Sequence, residues 1–195
     1  GNPVKVGLIG AGKFGTMFLA QARLMTGVHL VGIADLVPDR ARASCLRTGW
    51  TEEQVAAPTV ASAASSGGTC ITDRAEALIA APGLEVLIEA TGNPAAGITH
   101  CLQAIGAGCH IVMVNVEADV LAGPVLAARA QQAGLVYSLA WGDQPALICE
   151  HVDWARSCGF EVVCAGKGTR YHPTFHQSTP DTVWDNFHFD RETAE

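Results

Sequence analysis

Short apolar, β-branched runs alternate with longer Ala-rich or amphipathic segments along most of this chain. The run Val4-Lys-Val-Gly-Leu-Ile9 reads as a buried strand, and residues 16–25 then read as a helix. A second strand is expected over residues 29–35, and a helix over 38–47 with Pro38 in its first turn. Residues 57–69 are Ala/Ser/Gly-rich and aperiodic, which predicts a surface loop. A short strand follows at 70–72, with Asp73 expected to cap a helix through about Ala81. Further strands are predicted at 84–91, 109–114, 136–140 and 160–164, separated by helices at 95–107, 119–133 and 144–158.

Strands alternating with helices at this pitch imply right-handed βαβ units. The fold class predicted is α/β: a Rossmann-type doubly wound parallel sheet with helices on both faces. Near-continuous apolar strands suit a sheet covered on both sides. From Gly166 onward the pattern changes. Residues 166–195 hold five of the twelve aromatic residues (Tyr171, Phe175, Trp184, Phe187 and Phe189) and show neither helical nor strand periodicity. That many aromatics need another surface to bury against. The expected division is therefore a dinucleotide-binding domain over 1–165, then a crossover segment and the start of a truncated second domain over 166–195.

The first strand runs directly into Gly10-x-Gly12-x-x-Gly15. In such a turn Gly10 permits the sharp bend, Gly12 admits a pyrophosphate close to the backbone, and Gly15 lets the helix pack near the strand. Ala11, Lys13 and Phe14 complete the loop at the helix N-terminus, where free N–H groups favour an anion. Asp35 lies 20 residues after Gly15, at the end of the second strand, where a ribose-binding carboxylate belongs. A carboxylate there favours NAD, whereas Arg40 and Arg42 either cradle the 2′-phosphate of NADP or form a solvated helix face. The cofactor expected is NADP or NAD.

Composition narrows the partners. The chain has 195 residues, 49% of them hydrophobic, and a formal net charge of −7 with no basic run. That balance argues against nucleic acid or an anionic membrane. The stretch 90–116 lacks any Asp, Glu, Lys or Arg, but Gly, Asn, Pro, Gln and His interrupt it, so buried α/β structure is expected rather than a membrane span. Seven cysteines with no CxxC pair read as reduced core thiols, and with no signal peptide before the first strand they predict a cytoplasmic protein. A small-molecule substrate is the partner expected, in a monomer or a homo-oligomer.

Ligands of open α/β sheets bind beyond the carboxyl ends of the strands, which selects the remaining loops. Ala90, Thr91 and Gly92 should lie along the cofactor, with Asn115 ending the next strand near the nicotinamide. Glu117 either touches substrate, metal or ribose or serves the helix dipole. Asp143 is either a proton-handling group or a plain N-cap. Lys167 is a candidate electrophile for a carbonyl or phosphate. The three form the candidate catalytic set. His172 and His176 stand i, i+4, but Pro173 lies between them and no third ligand is near, so no metal ion is expected there.

Taken together, Gly7-Leu-Ile-Gly-Ala-Gly-Lys-Phe-Gly15, Glu89-Ala-Thr-Gly92 and Gly166-Lys-Gly-Thr-Arg-Tyr171 resemble the nucleotide-binding half of the homoserine dehydrogenase-like oxidoreductases over about residues 3–172. Val116 stands where homoserine dehydrogenases carry a catalytic lysine, which argues against homoserine oxidation by that mechanism. The runs 112–121, 142–148 and 178–184 resemble the SAF-domain-containing branch, which includes 1-deoxy-D-xylulose 5-phosphate reductoisomerase-like proteins. That resemblance implies a longer protein, NADPH use in the reductoisomerase-like members and a divalent metal in a reductoisomerase. The function expected is an NAD(P)-dependent oxidoreductase that moves hydride to or from a carbonyl or hydroxyl carbon of a small polar, phosphorylated or unphosphorylated, substrate. The alternative is a non-catalytic NAD(P)-sensing module.

Overall fold

The computed structural model describes residues 2–140, 144–166 and 173–187. It divides into two compact units, 1–143 and 144–195. This partition follows packing, whereas the junction predicted at residue 165 follows the grammar of strands and helices.

The first unit is a six-stranded parallel sheet in the order β3-β2-β1-β4-β5-β6. Its strands are β1 (Val4–Ile9), β2 (Val28–Ala34), β3 (Cys70–Thr72), β4 (Val86–Glu89), β5 (His110–Met113) and β6 (Tyr137–Leu139). The connecting helices are α1 (Lys13–Ala22), α2 (Pro38–Arg47), α3 (Val60–Ser66), α4 (Ala75–Ile79), α5 (Pro94–Ala107) and α6 (Val116–Gln132). Successive strand residues point to opposite faces, so β1 sends Leu8 into one apolar layer and Ile9 into the other. Leu8 packs with Leu19 of α1 and Ala41 and Cys45 of α2. Ile9 belongs to the second layer, with Leu78 of α4, Cys101 of α5 and Leu126 of α6. Helices therefore cover both faces, and the buried strands need be apolar throughout.

The chain builds outward from β1 to β3 and then returns to β4 on the other side of β1. That reversal opens a crevice between the carboxyl ends of β1 and β4, the topological switch point at which such sheets bind ligands.

Three local expectations are corrected. Residues 57–69 are not a loop: they contain α3, held by a capping box in which Ser62 N–H donates to Thr59 Oγ1 and Thr59 N–H donates to Ser62 Oγ, both at 3.1 Å. Gly67 ends it in the left-handed conformation, φ +81°. Ala and Ser carry too little hydrophobic contrast to show a 3.6-residue period, so only the cap marks the helix. Asp73 does not cap α4, whose N-cap is Arg74 without a side-chain bond. No strand forms at 160–164, since no neighbouring chain supplies a ladder, and Phe160 and Val163 are exposed.

The second unit contains α7 (Gln144–Ser157) and the short α8 (Val183–Phe187), with Trp154 and Phe160 packed at a ring-centroid distance of 6.4 Å. A Thr179/Thr182 pair begins α8: Thr179 N–H donates to Thr182 Oγ1 at 2.9 Å. No described helix is long and apolar enough to cross a membrane.

The reading of all seven cysteines as core thiols holds for four. Cys45, Cys70, Cys101 and Cys109 are buried, while Cys149, Cys158 and Cys164 are exposed. Burial raises the Cys45 thiol to about 11, and burial together with the Glu89 charge raises Cys101 to about 12. Burial also pushes Cys70 and Cys109 upward. The thiolate is the reacting species, so iodoacetamide at pH 8 is expected to label the three exposed cysteines in the folded chain. The other four should react only after urea unfolding, as peptide mass spectrometry would read directly.

Candidate functional site

A cleft of about 320 Å³ opens at the switch point. It is lined by the glycine turn after β1, the end of β2, the turn before α4 and the loop from β4 into α5.

The glycine turn is built by close approach. Gly10 has φ +96°, and a Cβ there would lie 2.6 Å from the carbonyl oxygen of Ala90. A Cβ on Gly15 would collide with the carbonyl oxygen of Gly10. Gly12 is different: a Cβ on it meets nothing within 4 Å, and its backbone is extended at φ −71°, ψ −151°. The space beside this residue is therefore open. Helix α1 starts at this residue without a side-chain cap, whereas α5 and α6 are capped by Asn93 and Asn115. Its N-terminal N–H groups and positive dipole end face the cleft mouth, which suits an anion.

At the end of β2 the Asp35 side chain is almost completely buried. Its Oδ2 accepts from Ala11 N–H at 2.8 Å and its Oδ1 from Val37 N–H at 2.9 Å. Arg40 Nη2 donates to both oxygens, at 2.8 and 3.1 Å. Both carboxylate oxygens are therefore engaged within the protein, and the expected ribose acceptor is turned inward. Arg40 reaches Asp35 from the first turn of α2, and its side chain stays 56% exposed along the cleft. One nitrogen anchors the guanidinium, leaving Nη1 and Nε without a partner among the described residues. Arg42 does not join it: it pairs with Glu52 at 2.9 Å.

Beyond β4 a polar network supports the opposite wall. Glu89 is wholly buried, and its Oε1 accepts from the Thr91 hydroxyl at 2.7 Å and lies 3.2 Å from His100 Nδ1. The other oxygen, Oε2, has no hydrogen-bond partner. Asn115, 2% exposed, caps α6 by accepting from Ala118 N–H at 3.1 Å and donates to the Asn93 carbonyl at 2.8 Å. Its amide also donates to the Thr91 hydroxyl at 3.3 Å. Asn115 thus braces the loop that carries Thr91, rather than facing the cleft. Asn115→Ala removes the α6 cap and two further hydrogen bonds to the loop after β4, while the Asn93 carbonyl keeps its bond from Gly97 N–H. The expected cost is about 1–2 kcal/mol, read as a lower urea midpoint.

Of the residues expected to bind cofactor, Gly10, Gly12, Asp35, Arg40, Ala90 and Thr91 line the one cleft. Ala11 is buried behind it through its bond to Asp35, and Lys13 and Phe14 are exposed on the first turn of α1. Gly92 sits at φ +71° in the loop leaving β4. Glu117 is exposed in the first turn of α6, where its charge favours the helix dipole. Asp143, Lys167 and His172 lie outside the described residues. Among the described residues no group of three or more His, Cys, Asp or Glu is gathered to hold a metal, so they do not fit the divalent ion a reductoisomerase would need. Sequence reasoning missed Leu36, Asp73, Glu76, Ala96 and His100 as lining residues.

A parallel sheet reversing at a glycine turn, with an anion-ready helix and a cleft beyond it, defines a nucleotide-binding fold of the Rossmann type. Comparison with known proteins agrees. Residues 142–194 match the sequence profile of a family described as oxidoreductase DRL, catalytic domain. A homoserine dehydrogenase from Thiobacillus denitrificans is 23% identical, with TM-score 0.55 over 71% of this chain and 29% of its own. Biliverdin reductase from Synechocystis, solved with biliverdin and NADP+, is 17% identical, with TM-score 0.55 over 81% of this chain and 43% of its own. Scyllo-inositol dehydrogenase from Lactobacillus casei, solved with NAD(H) and scyllo-inositol, is 14% identical, with TM-score 0.57 over 80% of this chain and 42% of its own. The chain therefore spans less than half the length of these structures. No curated protein matches the sequence.

Proposed function

We propose that this chain is the nucleotide-binding part of an NAD(P)-dependent oxidoreductase that prefers NADP(H). The observation that carries the preference is the Asp35–Arg40 pair. Asp35 is engaged on both oxygens, while Arg40, which lines the cleft, is held by one nitrogen and has two others without a partner among the described residues. A fixed guanidinium is suited to a phosphate. The match of residues 142–194 to an oxidoreductase catalytic domain and the cofactors of the solved neighbours support the reaction class.

The roles of this chain's residues follow from their positions. The glycine turn and α1 receive the pyrophosphate, Gly12 giving it room. Arg40 neutralises the 2′-phosphate. Thr91 and Ala90, braced by Glu89 and Asn115, form the wall beside the dinucleotide. Bound NADP(H) would supply the hydride chemistry, exchanging hydride with a carbonyl or hydroxyl carbon. Lys167, Asp143 and Glu117 remain the candidates for polarising the substrate and handling its proton. The run 112–121 supports a reductoisomerase-like relative acting on a small, phosphorylated substrate, although the described residues do not fit its metal. The domain assignment of 1–165 and 166–195, a cytoplasmic location and a homo-oligomer belong to the same proposal.

The test is a fluorescence titration of the chain with NADPH and NADH, with thermal unfolding followed in parallel, since a ligand of the folded state raises its stability. NADPH is expected to bind at least tenfold more tightly. Tighter binding of NADH would make Asp35 the selector and sink the assignment to Arg40.

A further inference from the structure

Given the nucleotide reading, on which this inference rests, the diphosphate belongs at the Gly10–Gly15 turn and the ribose beside Arg40. The part of the cleft that remains lies between Leu36, Ala75, Ala96 and His100. Three of these are apolar. Leu36 is 91% exposed where it lines the cleft, so its apolar side chain is open to a ligand there. His100 is the exception among them, about one turn after Ala96 on the α5 wall.

The state of that ring is set from behind. The Thr91 hydroxyl accepts from Asn115 Nδ2 and from Asn93 N–H, each at 3.3 Å, so its one proton goes to Glu89 Oε1 at 2.7 Å. Oε1 is therefore an acceptor, and the proton on the 3.2 Å line to His100 must sit on Nδ1. In the neutral ring that tautomer leaves Nε2 as an acceptor. Nε2 has no partner among the described residues, and the side chain is only 13% exposed. Asp73 and Glu76 also line this end, but both are exposed, so a hydrogen bond to either one replaces a bond to water and discriminates little.

We infer that His100, held in one tautomer by buried Glu89, is the residue that reads the base of the dinucleotide, accepting a hydrogen bond from the exocyclic amino group of adenine. The base slides between Leu36 and the small residues of α4 and α5, and its amino edge meets Nε2. Hypoxanthine, which carries an oxygen in place of that amino group, sets acceptor against acceptor there.

The experiment compares NADPH with its hypoxanthine analogue, which has the same phosphates and the same fluorescent nicotinamide, in titrations of the intact chain. The wild type is expected to bind NADPH about tenfold more tightly than the analogue. His100→Ala should weaken NADPH about tenfold and bring the two ligands within about twofold of each other, while Arg40→Ala should keep the ratio. Equal binding of the two ligands to the wild type overturns the inference and leaves the nucleotide reading standing. Discrimination that survives in His100→Ala also overturns it, assigning the base edge to Asp73 or Glu76. If neither ligand binds the wild type, the nucleotide reading itself falls and takes this one with it. The wild-type ratio needs no variant, so a poorly folded His100→Ala does not protect the idea; His100→Gln, which keeps an acceptor, should then retain part of the ratio.

Discussion

Gly12→Val is expected to leave the chain folded and to abolish nucleotide binding. A Cβ at this position meets no protein atom within 4 Å, and φ −71° keeps it out of the left-handed region that favours glycine. The residue is exposed, so its stability cost should stay below about 1 kcal/mol. The added side chain occupies the space that the pyrophosphate needs at the N-terminus of α1. Affinity for NADPH should fall at least a hundredfold, and the rise in melting temperature that NADPH gives the wild type should vanish. Gly15→Val is the contrast. Its side chain runs into the Gly10 carbonyl oxygen, so α1 must move off β1 and the apo protein itself should melt early. A Gly12→Val variant that binds NADPH like the wild type would mean that the open space beside Gly12 is not where the phosphates lie.

The second large effect is expected of Arg40→Ala. It removes a cleft-lining guanidinium with two nitrogens that have no partner among the described residues, a loss of one charge-assisted phosphate contact worth about 1.5–3 kcal/mol. NADPH should bind about 10- to 100-fold more weakly. NADH, which has no 2′-phosphate, should be unaffected or improve, because Asp35 loses one of its donors and regains capacity to accept from a ribose hydroxyl. Parallel titrations of both nucleotides separate this outcome from a general loss. An equal weakening of NADPH and NADH would show that Arg40 shapes the cleft rather than choosing the cofactor. The Ala11 and Val37 N–H bonds to Asp35 remain in the variant, so the glycine turn should keep its place.

Much of the fold is local in origin. Most strands of the sheet are announced by β-branched or apolar runs, and the turn after β1 by three glycines whose spacing matches one strand-to-helix bend. What failed to show is equally physical. Helix α3 depends on a Thr59/Ser62 capping box and a left-handed Gly67, with almost no hydrophobic contrast between its faces. Residues 160–164 have the composition of a strand, but a strand needs a neighbour, and composition cannot supply one. Asp73 has the chemistry of a helix cap and lies one residue too early to cap α4.

The cleft shows the same division. The sequence by itself determined that an alternation of strands and helices would place a glycine turn and an acid at the end of β2 together at the carboxyl edge of a parallel sheet. Those features depend on neighbours along the chain, where backbone geometry and hydrophobic period act. Only the tertiary structure decided that Asp35 turns inward to Ala11 and Arg40, that Asn115 braces Thr91 across 24 residues, and that His100 meets Glu89. These contacts depend on how helices return across the sheet, and a hydrogen bond set by that return has no period along the chain to betray it.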